Sequence, residues 1–248
     1  MEHPSLASLR EYLSHRPSDG VCAATMDHEG NPTPCLMTSV PRLCSIDTSP
    51  SPEAPRGIYG NAFATAPFSV VLNATTFLGT PRERPPEQQA GQAAEAPALQ
   101  VQAPQWSNIL ALAAPSPGRG AYSMSQISAI LTGAYSGFAA AKAMSEAMSQ
   151  DGCVTRVHTG HWGCGAFGGN RRLMAILQVL AARMAGVSLV YHTVDQAGAE
   201  EVREGLRMLE AMETTGAQSL PGCPELRTSN IILDLQSRAF PWGQSDGN

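Results

Sequence analysis

Residues 160–169 read Gly160-His161-Trp162-Gly163-Cys164-Gly165-Ala166-Phe167-Gly168-Gly169, five glycines in ten positions. Glycine gives up more backbone entropy on folding than any other residue. Such density is kept where the chain must turn left-handed or approach something closely. Val154–Thr159, just before it, reads as a strand. Arg171–Ala185, just after it, reads as a helix with Leu173, Ile176, Leu177, Leu180 and Met184 on one stripe. A glycine-rich passage from strand to helix points backbone N–H groups outward at the positive end of the helix dipole. That is an anion site, most often for phosphate or diphosphate. A bare turn needs one or two glycines. Phe167 is expected beside the ligand and Trp162 packed beneath the loop.

The neighbouring segments frame this loop. Ser188–Val194 predicts a second buried strand. Ala199–Glu213 predicts a helix with Val202, Leu206, Leu209 and Met212 inward and Glu200, Glu201, Arg203 and Arg207 outward. Strand, loop, helix, strand, helix is the signature of a parallel α/β sheet. Upstream, Pro4–His15 predicts a helix. Gly20–Met26 and Cys35–Val40 predict strands around the turn Asp27–Pro32, and Ser69–Ala74 predicts a short buried strand. Residues 79–105 are rich in Pro, Gln, Ala and Glu and read as a disordered insertion. Ser125–Ala139 mixes small and apolar residues, and Ile231–Leu235 is one more apolar stretch.

Composition excludes more than it selects. The 248 residues carry a formal net charge of -5, so no global feature invites a nucleic acid. No run of about 18 apolar residues exists, so no membrane span is expected. No secretory signal opens the chain, and the six cysteines form no C-x-x-C pair. They read as reduced thiols of an intracellular protein, in the nucleus or the cytoplasm. His158, His161 and Cys164 are the only closely spaced metal-ligand types and have no second pair, so no metal site is expected. No cofactor is expected either.

One competing reading stays open. Gly163-x-Gly165-x-x-Gly168 matches the dinucleotide fingerprint, with Asp195 at the close of the next strand. A nicotinamide-dependent oxidoreductase follows from that spacing. Against it, only 53 residues follow Asp195, and a strand-bearing region precedes the loop.

Thr159-Gly160-His161-Trp162-Gly163-Cys164-Gly165-Ala166-Phe167-Gly168-Gly169 resembles the T-G-N-W-G-C-G-A-F-G-G loop of poly(ADP-ribose) glycohydrolases. Leu173, Ile176, Gln178 and Leu180 to Ala182 resemble that family's following helix, and Val190-Tyr191-His192-Thr193 its V-Y-F-T strand. Ala134-Tyr135-Ser136-Gly137-Phe138 resembles A-Y-C-G-F. Ser69–Phe77 resembles a preceding strand, and Gly57–Phe63 the segment bearing a ligand-clasping tyrosine, with Tyr59 in its place. The resemblance implies a single α/β domain over 1–248 of macrodomain type, a mixed or parallel sheet flanked by helices. It also implies binding of ADP-ribose or poly(ADP-ribose), hydrolysis of ribose–ribose bonds, and a place in the DNA damage response. The implied ligand contacts are Tyr59, His161, Trp162, Gly163, Cys164, Gly165, Ala166, Phe167 and Val194, with the amides from Gly163 to Phe167 on the diphosphate.

The family's chemistry uses paired glutamates after a triple glycine, one serving as general acid and then base. Neither Gly-Gly-Gly nor Gln-Glu-Glu occurs here. The expectation is a domain incomplete at its N-terminal side: a truncated glycohydrolase, or a non-catalytic ADP-ribose binding module. His161 stands where the family has Asn, and Val194 where it has a Phe beside the distal ribose. His158 and His192 are expected to be buried strand residues without a role. Asp47 and Glu53, in a loop, have no evident one.

Overall fold

The computed structural model describes residues 2–15, 25–29, 31–55, 57–78, 105–149, 152–219 and 224–246. The strand expected at 20–26 up to residue 24, the insertion up to residue 104, Cys22 and Cys223 lie outside them. The expected turn at 27–32 is present. The Asp27 carboxylate accepts from the N–H groups of Glu29 and Asn31 at 2.9 and 2.8 Å, and Met26 bridges Pro32 in antiparallel fashion.

The chain divides into two compact units, residues 1–23 with 37–109 and residues 24–36 with 110–248. The first holds α1 (Pro4–His15) and, in chain order, most of β1 (Cys35–Arg42), β2 (Cys44–Ile46), α2 (Asn61–Thr65), α3 (Phe68–Asn73), β3 (Thr75–Phe77) and most of β4 (Gln105–Ala111). β1 pairs with β4, and β2 pairs antiparallel with β3 in the register Cys44↔Phe77. Val40, Cys44, Ile58, Val71 and Leu78 are its buried apolar residues. The strand expected over Ser69–Ala74 is instead α3. Pro67 supplies the N-cap with φ fixed at -57°, and Val71 is the one buried residue of the helix.

The second unit carries α4 (Met124–Met148), β5 (Arg156–Thr159), α5 (Arg171–Ala185), β6 (Ser188–Tyr191), α6 (Gln196–Ser219) and α7 (Pro224–Ser237). β5 and β6 are parallel in the register His158↔Val190, joined by the crossover helix α5. This is the α/β unit expected, although the strands form three two-stranded sheets rather than one. The core is mostly helical. Ile127, Ile130, Leu131, Ala134 and Phe138 of α4 meet Leu173, Met174, Ile176, Leu177 and Leu180 of α5, and Leu209 of α6 and Leu235 of α7 close it.

Capping explains the helix bounds. Ser123 and Gln126 form a reciprocal capping box at the start of α4. The Asn170 side chain accepts from Leu173 N at 3.0 Å to open α5, and Gly186, at φ 67°, ends it left-handed. Asp195 accepts from Gly198 N at 2.6 Å to open α6, which is longer than the expected 199–213. Gly205 lets α6 lie close on α5: a Cβ there would stand 3.2 Å from Arg172 O and from Ile176 Cγ1.

Three expectations about side chains are corrected. Met184 is exposed, because the last turn of α5 turns Ala181, Ala182 and Ala185 to the core and leaves Met184 on its outer face. β6 stops at Tyr191, so Val194 lies beyond it at a bend and is 87% exposed. His158 and His192 are exposed rather than buried. They sit on the solvent face of the β5–β6 pair, with Nδ1 of His158 and Nε2 of His192 3.0 Å apart and their rings stacked.

Candidate functional site

The glycine loop leaves β5 at Thr159 and enters α5 at Asn170. It is held mostly by its own backbone. Trp162 N donates to Gly160 O, Cys164 N to His161 O, Gly168 N to Gly165 O and Gly169 N to Gly163 O, all at 2.8–3.0 Å. Gly163 and Gly168 have φ of 73° and 64°, the left-handed region where side chains are strained. At Gly169 a Cβ would stand 2.7 Å from Gly163 O. Geometry therefore accounts for these glycines individually.

Those bonds leave a remainder. Of the amides from Gly163 to Phe167, Cys164's is used inside the loop. Among the described residues, the N–H groups of Gly163, Gly165, Ala166 and Phe167 donate to no protein acceptor. Unspent backbone donors ahead of a helix N-terminus are the kind of group that binds an anion. Arg171 and Arg172 open α5 directly after the loop. Arg171 Nη1 is 3.5 Å from the Asp195 carboxylate, and Arg172 is paired with Glu201 at 2.8 Å. The sequence reading did not single out Arg171, although Asn170-Arg171-Arg172 after the glycines was its signal.

The side chains of the loop divide by environment. Trp162 is half-buried against the core, as expected, and its buried Nε1 has no partner among the described residues. Phe167 is 42% exposed and free to face a ligand. Cys164 is half-buried, and desolvation pushes its thiol up to about 12. His161 turns away from solvent towards the start of α6. Its Nδ1 is 3.3 Å from the Tyr191 hydroxyl, its Nε2 is buried without a partner, and it abuts Gly198 so closely that a Cβ there would collide with it. Burial, then the Arg171 charge, lowers its pKa. It props the loop against α6.

Gln178 was noted only as part of a helix pattern, and it has a structural task. It is the one buried polar residue among those described, and its amide ties β5 and the loop to α5. Thr159 Oγ1 donates to Oε1 at 2.6 Å, and Nε2 donates to Gly160 O at 3.1 Å.

Asp195 does not stand ready for a ribose. Its carboxylate takes Gly198 N and Arg171, and the backbone bond first, with Arg171, lowers its pKa. Tyr59 lies in the first unit just before α2, 69% exposed. Asp47 and Glu53 both line a separate cleft of about 300 Å³ in that unit, and Asp47 there accepts from Ser49 N. Among the described residues no helix is long and apolar enough to cross a membrane, and no group of three or more His, Cys, Asp or Glu could hold a metal.

A parallel β–loop–α unit with unspent loop amides defines an α/β protein built around a glycine-rich strand-to-helix loop. Residues 90–201 match the family model described as poly(ADP-ribose) glycohydrolase (PARG), macro domain fold. The matched segment, which is similar to this family, contains α4, β5, the whole glycine loop, α5 and β6.

Proposed function

We propose that this chain binds an ADP-ribose unit, free or within poly(ADP-ribose), with its diphosphate on the amides of Gly163, Gly165, Ala166 and Phe167. The observation that carries the reading is that these donors are unspent while the amides of Trp162, Cys164, Gly168 and Gly169 hold the loop together. N–H bonds to a charged phosphate are among the stronger hydrogen bonds in proteins. Exposed Phe167 offers an aromatic face for the ligand. Tyr59 keeps its resemblance to the family's ligand-clasping tyrosine, and Val194 would give a weaker apolar contact than the Phe of that family.

Hydrolysis of ribose–ribose bonds is the chemistry of the family, and it needs a carboxylic acid at the glycosidic oxygen. The only adjacent glutamates in this sequence are Glu200 and Glu201, on α6, and Glu201 is engaged by Arg172. Binding alone does not break the bond. The function proposed for residues 1–248 is therefore ADP-ribose recognition without turnover.

Calorimetric titration with ADP-ribose, with NAD as the control, tests this. The parent should bind ADP-ribose in preference to NAD. Ala166→Pro, which deletes one loop N–H, should weaken binding about tenfold, the worth of one charge-assisted bond. A folded parent that ignores ADP-ribose, or an Ala166→Pro variant that binds equally well, would overturn the reading.

A further inference from the structure

Gly165 and Gly168 turn their carbonyls to a single segment, Phe240–Asp246. That segment is fastened to the frame of the second unit at its start. Tyr122 N donates to Phe240 O at 3.0 Å and Trp242 N to Gly120 O at 2.8 Å. The Trp242 ring stacks on Tyr122, centroids 4.0 Å apart with 15° between planes. Asn170, which caps α5, donates from its side chain to Pro241 O at 3.1 Å and from its backbone to the Tyr122 hydroxyl at 3.1 Å. From this anchor the chain runs along the loop. Gly243 N donates to Gly168 O at 2.8 Å, and Asp246 N to Gly165 O at 3.4 Å.

In a trans peptide the C=O and N–H point in opposite directions. The peptide joining Gly165 to Ala166 gives its carbonyl to the segment, so the Ala166 N–H points away from it. The peptide joining Gly168 to Gly169 does the same, and its N–H closes the loop on Gly163 O. The approach is through backbone on both sides. A Cβ on Gly168 would stand 3.0 Å from Gly243 O and from Gln244 C, and one on Gly243 would stand 3.2 Å from Gly168 O.

We propose that Gly243–Asp246 is a backing strap, a positioning element that fixes these two peptide planes and so holds the loop amides in their anion-receptive orientation. The proposal rests on the ADP-ribose reading for its ligand. The strap acts by preorganisation: a loop already ordered spends less of its binding energy on ordering. The Asp246 carboxylate lies beside the loop, with Oδ2 3.0 Å from where a Cβ on Gly165 would stand, and it carries the same sign of charge as the ligand. The strap's effect comes from its backbone.

Two variants separate backbone from side chains. One ends at Trp242; the other keeps the full chain with Gln244→Ala, Ser245→Ala and Asp246→Ala. For each, ADP-ribose affinity is measured by calorimetry and exchange of the Gly168 and Gly169 amides by hydrogen exchange, with thermal melting as a fold control. The shortened chain should bind about tenfold more weakly and exchange those amides faster, with its melting transition retained. The alanine variant, which loses a like charge beside the loop, should bind at least as tightly as the parent and exchange those amides at the parent's rate. Equal or tighter binding by the shortened chain, with exchange unchanged, overturns the strap, as does an alanine variant as impaired as the shortened one. Should the parent not bind ADP-ribose, the binding reading falls alone, and the exchange rates still decide whether the strap orders the loop.

Discussion

Thr159 and Gln178 meet at 2.6 Å, hydroxyl to amide oxygen, across the junction of β5 and α5. The same amide reaches Gly160 O, the first carbonyl of the glycine loop, and the side chain is 1% exposed. A buried amide with both ends used is a constraint on where the loop begins. Gln178→Leu keeps the volume, orphans the Thr159 hydroxyl and takes from the Gly160 carbonyl one of its two donors, leaving Trp162 N. It should cost about 1–3 kcal/mol of stability, at roughly 2–4 °C of Tm per kcal/mol. ADP-ribose affinity should fall with it. Thermal melting beside calorimetry checks this, and an unchanged Tm would remove the constraint from the account.

Gly169 and Gly152 make a contrasting pair. A Cβ at Gly169 would lie 2.7 Å from Gly163 O, a backbone atom that cannot move without opening the loop, whereas nothing lies within 4 Å of a Cβ at Gly152. Gly169→Ala should destabilise by about 1–3 kcal/mol, the usual cost of overpacking. Gly152→Ala should be neutral or slightly stabilising through its effect on the unfolded chain. Urea unfolding of the two variants against the parent would show the difference in midpoint, and equal midpoints would contradict the loop geometry.

The second unit was more legible in the sequence than the first. α5 keeps its expected bounds because its signals are local: Asn170 caps it, Gly186 ends it, and its apolar stripe runs between. The loop was legible from glycine density, since each left-handed or crowded position admits little else. α3 was misread because Ser69–Ala74 carries the composition of a strand, and Pro67 starts a helix there instead. The exposure of His158 and His192 depends on which face of β5–β6 α5 covers, a fact of packing that alternation alone does not orient. Gln178 and the strap escaped for the same reason. Their partners lie 18 and about 75 residues away in sequence, and no local pattern encodes such pairings.

Cys164 and Cys153 differ in environment, and alkylation should report it. Burial pushes the Cys164 thiol up to about 12, so almost no thiolate exists at pH 8. Cys153 is exposed, with its sulfur near Ser145 O. Brief iodoacetamide treatment of the native chain at pH 8, followed by peptide mapping, should label Cys153 and spare Cys164. Denaturation should make both react. Labelling of Cys164 at the rate of Cys153 in the native chain would place the loop sulfur in solvent, against the packing described.

His161 and Tyr191 set a pH dependence whose sign is fixed by burial. Desolvation first, and the Arg171 charge second, hold the His161 pKa below its ordinary value of 6.5, while Asp195 and Glu201 raise it by less. Over the interval between the folded and the ordinary pKa the unfolded chain binds more protons, so stability rises with pH there. The contribution of His161 is therefore full above about pH 6.5 and declines as pH falls through that value towards the folded pKa. Protonation would also place a cation between Arg171 and the N-terminal end of α6, where the helix dipole is positive. His161→Asn, which restores the family's residue at this position, removes the titration. Melting curves between pH 5 and 8 should show Tm of the parent dropping more steeply below pH 6.5 than Tm of the variant. The difference between the two curves isolates His161 from the carboxylates that titrate lower. Parallel curves would mean that the imidazole ionises as freely in the folded chain as in water, and that it does not stand wedged between the loop and α6.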